Sequence, residues 1–254
     1  MNYFQTIKLD NYRNFRSFKT VFTSGCNVLI GDNGSGKTNI LEAISLFEKG
    51  RGFRKEKIKN LINFYSENNK FMISSLFCHN KNEINLLINN ENNENNLIKK
   101  LIINGSSSND SKKYFENLFS IIYFLPEMER LFLSSPSVRR NFLDRLIFNT
   151  DKNYNKLINN YKKNIYERHK VLKNYKNDFE WLKNLEIKIV DFGIKIYQKR
   201  FEHLENINLN LRLLDKNKRY SYKILLSIED EFIGNNLLNI DKIYDQYLLK
   251  LVEF

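Results

Sequence analysis

The residues with the most chemical content lie in one run, GDNGSGKTN at 31–39. Gly31, Gly34 and Gly36 let the backbone curl so that several N–H groups converge on phosphate oxygens. Lys37 adds a long-reaching cation, and the Thr38 hydroxyl is a ligand type suited to Mg²⁺. The spacing is G-x-x-x-x-G-K-[ST], with Asp32, Asn33, Ser35 and Gly34 at the variable positions, so Gly31 to Thr38 form the candidate nucleotide-binding set. Such a loop needs a strand before it and a helix N-terminus after it, whose dipole favours an anion. The apolar run CNVLI at 26–30 predicts a buried strand at Val28–Ile30. The run after it predicts a helix with Ile40, Leu41, Ala43, Ile44 and Phe47 on one face, ended by Gly50 as a left-handed residue.

Composition sets wider bounds. A chain of 254 residues suits one large domain or two modest ones. The net charge of +12 invites a nucleic-acid partner. Ala43 is the only alanine among many Asn, Lys and Ile residues, the bias of an AT-rich genome, so charge alone does not decide the matter. No run approaches 18 apolar residues, and MNYFQTIKLD lacks a basic segment followed by an apolar one. A cytoplasmic protein without a membrane span or secretory signal is therefore expected. Cys26 and Cys78 fit no metal or redox spacing and read as buried free thiols. His79, His169 and His203 are scattered singly, which argues against a metal site among them.

The remaining elements fall into two halves. Strands are predicted at Phe4–Leu9, Phe18–Phe22, Phe71–Phe77, Ile84–Ile88 and Leu97–Ile103, with the polar run 89–96 as a hairpin connection, and a further strand at 121–125. The pattern then turns helical, which divides the chain into a strand-rich portion with the phosphate loop at 1–125 and a helical lobe at 126–254. Ser135 and Pro136 mark a helix start, with Val138, Phe142 and Leu146 on one face and Arg139, Arg140 and Arg145 elsewhere. Two longer helices follow. One carries Ile158, Tyr161, Ile165, Leu172 and Tyr175, interrupted by Arg168. The other carries Leu182, Leu185, Ile189, Phe192 and Ile196, with Asp178 as its cap. Together they predict an antiparallel helical hairpin.

Several segments carry a family resemblance: IKLDNYRNFRSFKTVF before the phosphate loop, GRGFR at 50–54, YFLPEMERLFLSSPSVRRNFLDRLIF at 123–148 and YKKNIYERHKVLKNY at 161–175. The chain resembles the RecF family, bacterial replication and repair ATPases of the SMC-like branch of ABC-type ATPases, over the N-terminal two-thirds or so of the family pattern. The resemblance implies an α/β fold, a P-loop ABC-type ATPase lobe with a mixed sheet, here incomplete, joined to a helical second lobe. It implies ATP and Mg²⁺ as cofactors, with Thr38 on the metal. It also implies single-stranded or gapped DNA and recombination mediator proteins as partners, an ATP-dependent homodimer, and roles in recombination repair and the SOS response. Arg13 matches an arginine that in this branch lies near the nucleotide, and Arg139 and Arg140 are candidate DNA contacts. Arg51 and Arg54 read as lying far from the phosphates, and Glu127 stands where related ATPases place a metal-contacting glutamine. The family's Leu-Ser-x-Gly-Gln signature and its Walker B acids do not occur in these residues, and LLSIEDEF at 225–232 reads as an acidic surface turn. Hydrolysis by this chain alone is therefore not expected. The alternatives are an ABC transporter-type ATPase subunit, which the long hairpin and SPSVRR disfavour, and an inactive fragment of the repair protein.

Overall fold

The computed structural model describes residues 2–93, 96–174, 179–215, 224–229 and 240–252. They divide into two compact units, Met1–Phe124 and Leu125–Phe254. The first is built on a five-stranded sheet of β1 (Asn2–Tyr12), β2 (Phe15–Val21), β3 (Met72–His79), β4 (Asn82–Asn93) and β5 (Asn96–Ile103), ordered β2-β1-β3-β4-β5. Every ladder is antiparallel, so among the described residues the α/β lobe has an antiparallel rather than a mixed sheet. Period-two alternation drives it: Ile7 and Leu9 of β1, Ile73 and Phe77 of β3, and Ile84, Leu86 and Ile88 of β4 are buried. The polar run 89–96 does connect a hairpin, but both strands continue into it, pairing Asn93 with Asn96.

Two helices and the 58–71 segment, through Leu61 and Phe71, supply the rest of this core. α1 (Lys37–Ser45) contributes Ile40 and Ala43, and the turn after it contributes Leu46 and Phe47. Leu41, expected on the buried face, is 51% exposed. The helix also ends before Gly50. The Ser45 hydroxyl donates to Glu42 O at 2.7 Å and accepts from Phe53 N–H at 3.2 Å, pulling the chain out of helical register. α2 (Asn109–Leu118) is capped by Ser108, whose hydroxyl accepts from Ser111 N–H, and it buries Phe115 beside Phe77 and Phe119. Nothing in the apolar periodicity announces α2, because Phe115 is its one buried residue. A half-buried lysine links sheet and helix: Lys99 of β5 donates to Leu46 O at 2.6 Å and Glu48 O at 3.0 Å, meeting carbonyls past the end of α1. Burial pushes its ammonium down to about 8.

Two expected strands are absent. Residues 26–30 and 121–125 belong to no ladder, with Val28 73%, Ile30 91%, Ile122 65% and Phe124 70% exposed. Exposure along 121–126 still alternates with period two, so the segment has strand character without a strand to pair with. An apolar run encodes competence for a ladder, and a neighbour must supply the other half of its hydrogen bonds. Cys26 is exposed and Cys78 only half-buried, so neither is the buried thiol expected.

The second unit holds α3 (Pro136–Thr150), α4 (Tyr154–Asn174), α5 (Phe179–Asp215) and α6 (Ile240–Val252), preceded by a kinked 3₁₀ segment at Pro126–Leu133. α4 and α5 form the predicted antiparallel hairpin, with Tyr154 against Ile196 at one end and Arg168 on Glu186 at 2.9 Å toward the other. Arg168 breaks the apolar stripe because Glu186, 5% exposed, neutralises it inside the packing. Arg168 also donates to Leu251 O of α6. Ile165 lies 40% exposed, outside the interface it was expected to join. Tyr175 and Asp178 lie outside the described residues. On α3 the buried face runs through Leu143 and Ile147; Val138 is 46% exposed, which rotates the inward face away from the expected Val138–Phe142–Leu146 line. Ser135 does sit at the N-cap, though its hydroxyl bonds Ser137 Oγ and not the backbone. Gly193 lets α6 approach: a Cβ there would fall 2.5 Å from Tyr247 Cε1. No helix among the described residues is long and apolar enough to cross a membrane.

Candidate nucleotide-binding site

The phosphate-loop residues come together at the N-terminus of α1. Gly36 is the N-cap with φ 101°, Ile40 N–H donates to Gly36 O at 3.0 Å, and no acidic residue occupies the first turn. The leading amides of the helix therefore face an anion site with no carboxylate in that turn to oppose it. Ser35 N–H reaches Asp32 O at 3.2 Å and closes a turn, with Gly34 at φ 85°. Lys37 Nζ donates to Gly31 O at 2.6 Å and Asp32 O at 2.7 Å. Its cation is thus held over the loop by two carbonyls. Gly31 to Ser35 and Thr38 are exposed, Lys37 is half-buried and Gly36 is buried.

The β1–β2 turn explains why Gly36 must lack a side chain. A Cβ on Gly36 would lie 2.3 Å from Phe15 Cζ and 3.0 Å from Asn14 Nδ2. Asn14 Nδ2 also points at Gly34 O, 3.4 Å away, and Asn14 Oδ1 accepts from Asn39 Nδ2 at 2.8 Å. The hairpin turn and the first turn of α1 therefore brace the loop from behind. Asn14, Asn39 and Phe15 were not legible as site residues; the only signals were the short NYRNF turn and the place of Asn39 at the end of the GDNGSGKTN run.

Arg13 does not face the loop. Its guanidinium grips Glu42 of α1 with two bonds, Nε to Oε2 at 2.9 Å and NH2 to Oε1 at 2.6 Å, and NH1 donates to Asn60 O. Glu42 is fully buried, so an arginine within reach is drawn to the carboxylate and not to the loop. Tyr12 OH donates to the same carboxylate at 3.0 Å; burial first, and then the charge of Glu42, push that phenol above its ordinary range. Burial opposes the charge on Arg13, but the hydrogen bonds and charge of Glu42 outweigh it and hold the guanidinium charged. Arg54 also differs from expectation. Turns at Gly50 and Gly52 bring it back to α1, where NH1 donates to Asn39 Oδ1 at 2.8 Å and stands 3.5 Å from Glu42. The first turn of α1 is thus tied to Asn14 through Asn39, and Asn39 in turn to Arg54 and the Glu42 hub.

The remaining candidates lie elsewhere in the chain. Arg139 and Arg140 are exposed near the start of α3; Arg139 donates to Phe132 O at 2.9 Å. Arg140 lines a cavity of about 420 Å³ with Lys162, Tyr161, Tyr197 and Tyr247. Its wall includes Arg200, which grips Asp144 at 2.8 and 2.9 Å while Tyr154 OH donates to the same carboxylate at 2.6 Å. Glu127 follows Pro126 in the 3₁₀ segment, and its side chain lies outside the described residues. Of the acidic run, Leu226 is docked on α5 by Asn208, which bonds both its N–H and its C=O at 2.9 Å. Asp230 and Glu231 lie outside the described residues. Among the described residues no cluster of three or more His, Cys, Asp or Glu forms a metal cage.

Residues 3–126 match the RecF/RecN/SMC N-terminal domain. The DNA replication and repair protein RecF of Rickettsia typhi is 32% identical over 259 aligned positions, which take in 99% of this chain and 64% of that protein. RecF of Rickettsia felis is 31% identical, with 97% of this chain and 62% of the relative aligned. Among solved structures, the recombination mediator protein RecF-ATPrS in the RecFOR pathway superposes with a TM-score of 0.80 at 26% identity, over 99% of this chain and 67% of that one. A RecF-ATP structure gives 0.76. The chain spans somewhat under two-thirds of the length of the curated relatives it matches, and it is similar to RecF proteins over nearly all of its own length.

Proposed function

We propose that this chain binds ATP at Gly31–Thr38 and acts in DNA replication and repair, contacting single-stranded or gapped DNA in recombination repair and the SOS response. The observation that carries the reading is the open N-terminus of α1, where Gly36 and Lys37 present amides and a cation with no acid in the first turn. A phosphate there competes with Gly31 O and Asp32 O for the Lys37 ammonium. Thr38 is the residue to hold Mg²⁺ beside the phosphates. Recombination mediator proteins and a second copy of the chain are the proposed partners, with Arg139 and Arg140 as DNA contacts on the helical unit and the cytoplasm as the place of action. Division into 1–125 and 126–254 separates the nucleotide-binding portion from the helical lobe.

ATP titration of the 254-residue chain tests the site. Lys37→Ala removes a charge-assisted contact worth about 1.5–3 kcal/mol, so affinity should fall at least roughly tenfold. Equal affinity in the two proteins would remove the loop from nucleotide binding. Phosphate release should stay at the level of the Lys37→Ala protein, because the chain has no signature segment and the loop supplies only the cradle, a lysine and a hydroxyl.

A further inference from the structure

The segment that grips the Arg13 turn also displays two adjacent aromatic rings. Phe64 is 93% exposed and Tyr65 69% exposed, set edge to face with centroids 5.6 Å apart. The backbone beneath them is tightly held. Asn63, 5% exposed, donates from its N–H to Asn11 O at 2.8 Å and from Nδ2 to Arg13 O at 2.6 Å. Its Oδ1 accepts from Tyr65 N–H at 2.9 Å, and Ile62 bridges to Tyr12. Ser66 closes the loop through Asn63 O and Lys70 O. Arg16 of β2 lies over the Tyr65 ring, 5.1 Å from its centroid. The chain around the rings is cationic and exposed: Arg16, Lys57, Lys59 and Lys70, against Glu56 and Glu67.

We infer that Phe64, Tyr65 and Arg16 form a stacking platform for the unpaired bases of a single DNA strand, on the sheet unit and separate from Arg139 and Arg140. The inference deepens the DNA-binding reading above and rests on it for the polymer. The chemistry selects the ligand. Any base offers a π-face to an exposed ring, and the surrounding cations follow the phosphates. Arg16 on Tyr65 adds a cation–π layer of the kind that supports base stacking. Because the loop is already fixed by hydrogen bonds, little order remains to be imposed on binding. The same loop holds Arg13 through Leu61 O and Asn60 O, so a strand seated on the rings lies one turn away from the residues that brace the phosphate loop.

The test compares binding of labelled oligo(dT) and of a base-free (abasic) oligomer of equal length to the 254-residue chain and to Phe64→Ala/Tyr65→Ala. Oligo(dT) affinity should fall roughly tenfold or more in the variant, while abasic affinity stays within about twofold. Phe64→Trp should retain oligo(dT) binding, and an iodouracil-containing strand should photocrosslink to residues 64–65. Unchanged oligo(dT) affinity in the double variant would assign the rings to a protein partner and overturn the platform. An equal loss on both strands would overturn it too, because stacking requires bases. A wild-type chain that binds neither strand would overturn the DNA-binding reading and this inference together.

Discussion

Glu42 in the sheet unit and Asp144 in the helical unit answer the same physical problem with the same parts. Each is a carboxylate at least partly withdrawn from water, gripped through two oxygens by one arginine and bonded by one tyrosine. They differ in what hangs on them. Asp144 joins α3 to α4 and α5. Glu42 lies on the helix that begins with Lys37, and its Arg54 continues through Asn39 and Asn14 to Gly34 O. One cluster fastens helices; the other sets the posture of a binding loop. Chemical similarity between two buried ion pairs therefore says little about their purpose, which is decided by the backbone each one reaches.

Removing Glu42 should have the largest effect. Glu42→Ala leaves the half-buried Arg13 without its counter-ion, costing up to about 3 kcal/mol of stability, and nucleotide affinity should fall even under conditions where the variant is folded. Denaturant unfolding and ATP titration read the two effects separately. Full ATP affinity in a folded Glu42→Ala protein would erase the proposed difference between the clusters. Asp144→Ala should cost about 2–3 kcal/mol, since the lost partners are hydrogen bonds to a charged group at a site not wholly closed to water, and ATP affinity should not change. A shift in nucleotide binding there would mean that the helical cluster also serves the loop.

The smallest effect belongs to Lys99, which secures the far end of the same helix. The unfolded chain keeps this ammonium protonated up to its ordinary 10.5, whereas the folded chain releases the proton near 8. Between those values the unfolded state binds more protons, so folding stability should rise as pH increases from about 8 toward 10. Lys99→Met should flatten that rise in melts across the range, and an undiminished slope in the variant would assign it to other groups.

The phosphate loop was legible because its glycines, lysine and threonine work through local backbone geometry, which spacing encodes directly. β1, β3, β4 and β5 were legible because alternation survives in single strands. The Glu42 hub was not. A glutamate within an amphipathic helix reads as a surface residue, and its partners Tyr12, Arg13 and Arg54 reach it only once β1 and the 50–54 turn have folded onto α1. Arg54 was misplaced for the same reason: position along the chain suggested the distal end of α1, while two left-handed glycines turn it back. The segments 26–30 and 121–125 failed in the opposite direction, because their apolarity was read correctly and their lack of a neighbouring strand is not written in their own residues.

The placement of β1 beside β3 has a consequence for how the site comes into being. Leu9 faces Ile73 across the ladder, and the phosphate loop, α1 and the aromatic loop all lie on the excursion between those strands. A nascent chain can zip β1 to β2 at once, because their turn is only Arg13 and Asn14. Pairing with β3 must wait for the whole excursion to be synthesised and then bear the entropy of closing it. Until that circuit closes, Ile40, Ala43 and Phe47 lack the face of the sheet formed by β3 and β4, and the loop at the head of α1 has no fixed seat. The loop should therefore acquire its posture late in folding, timed by the arrival of β3 and not by the synthesis of the loop itself.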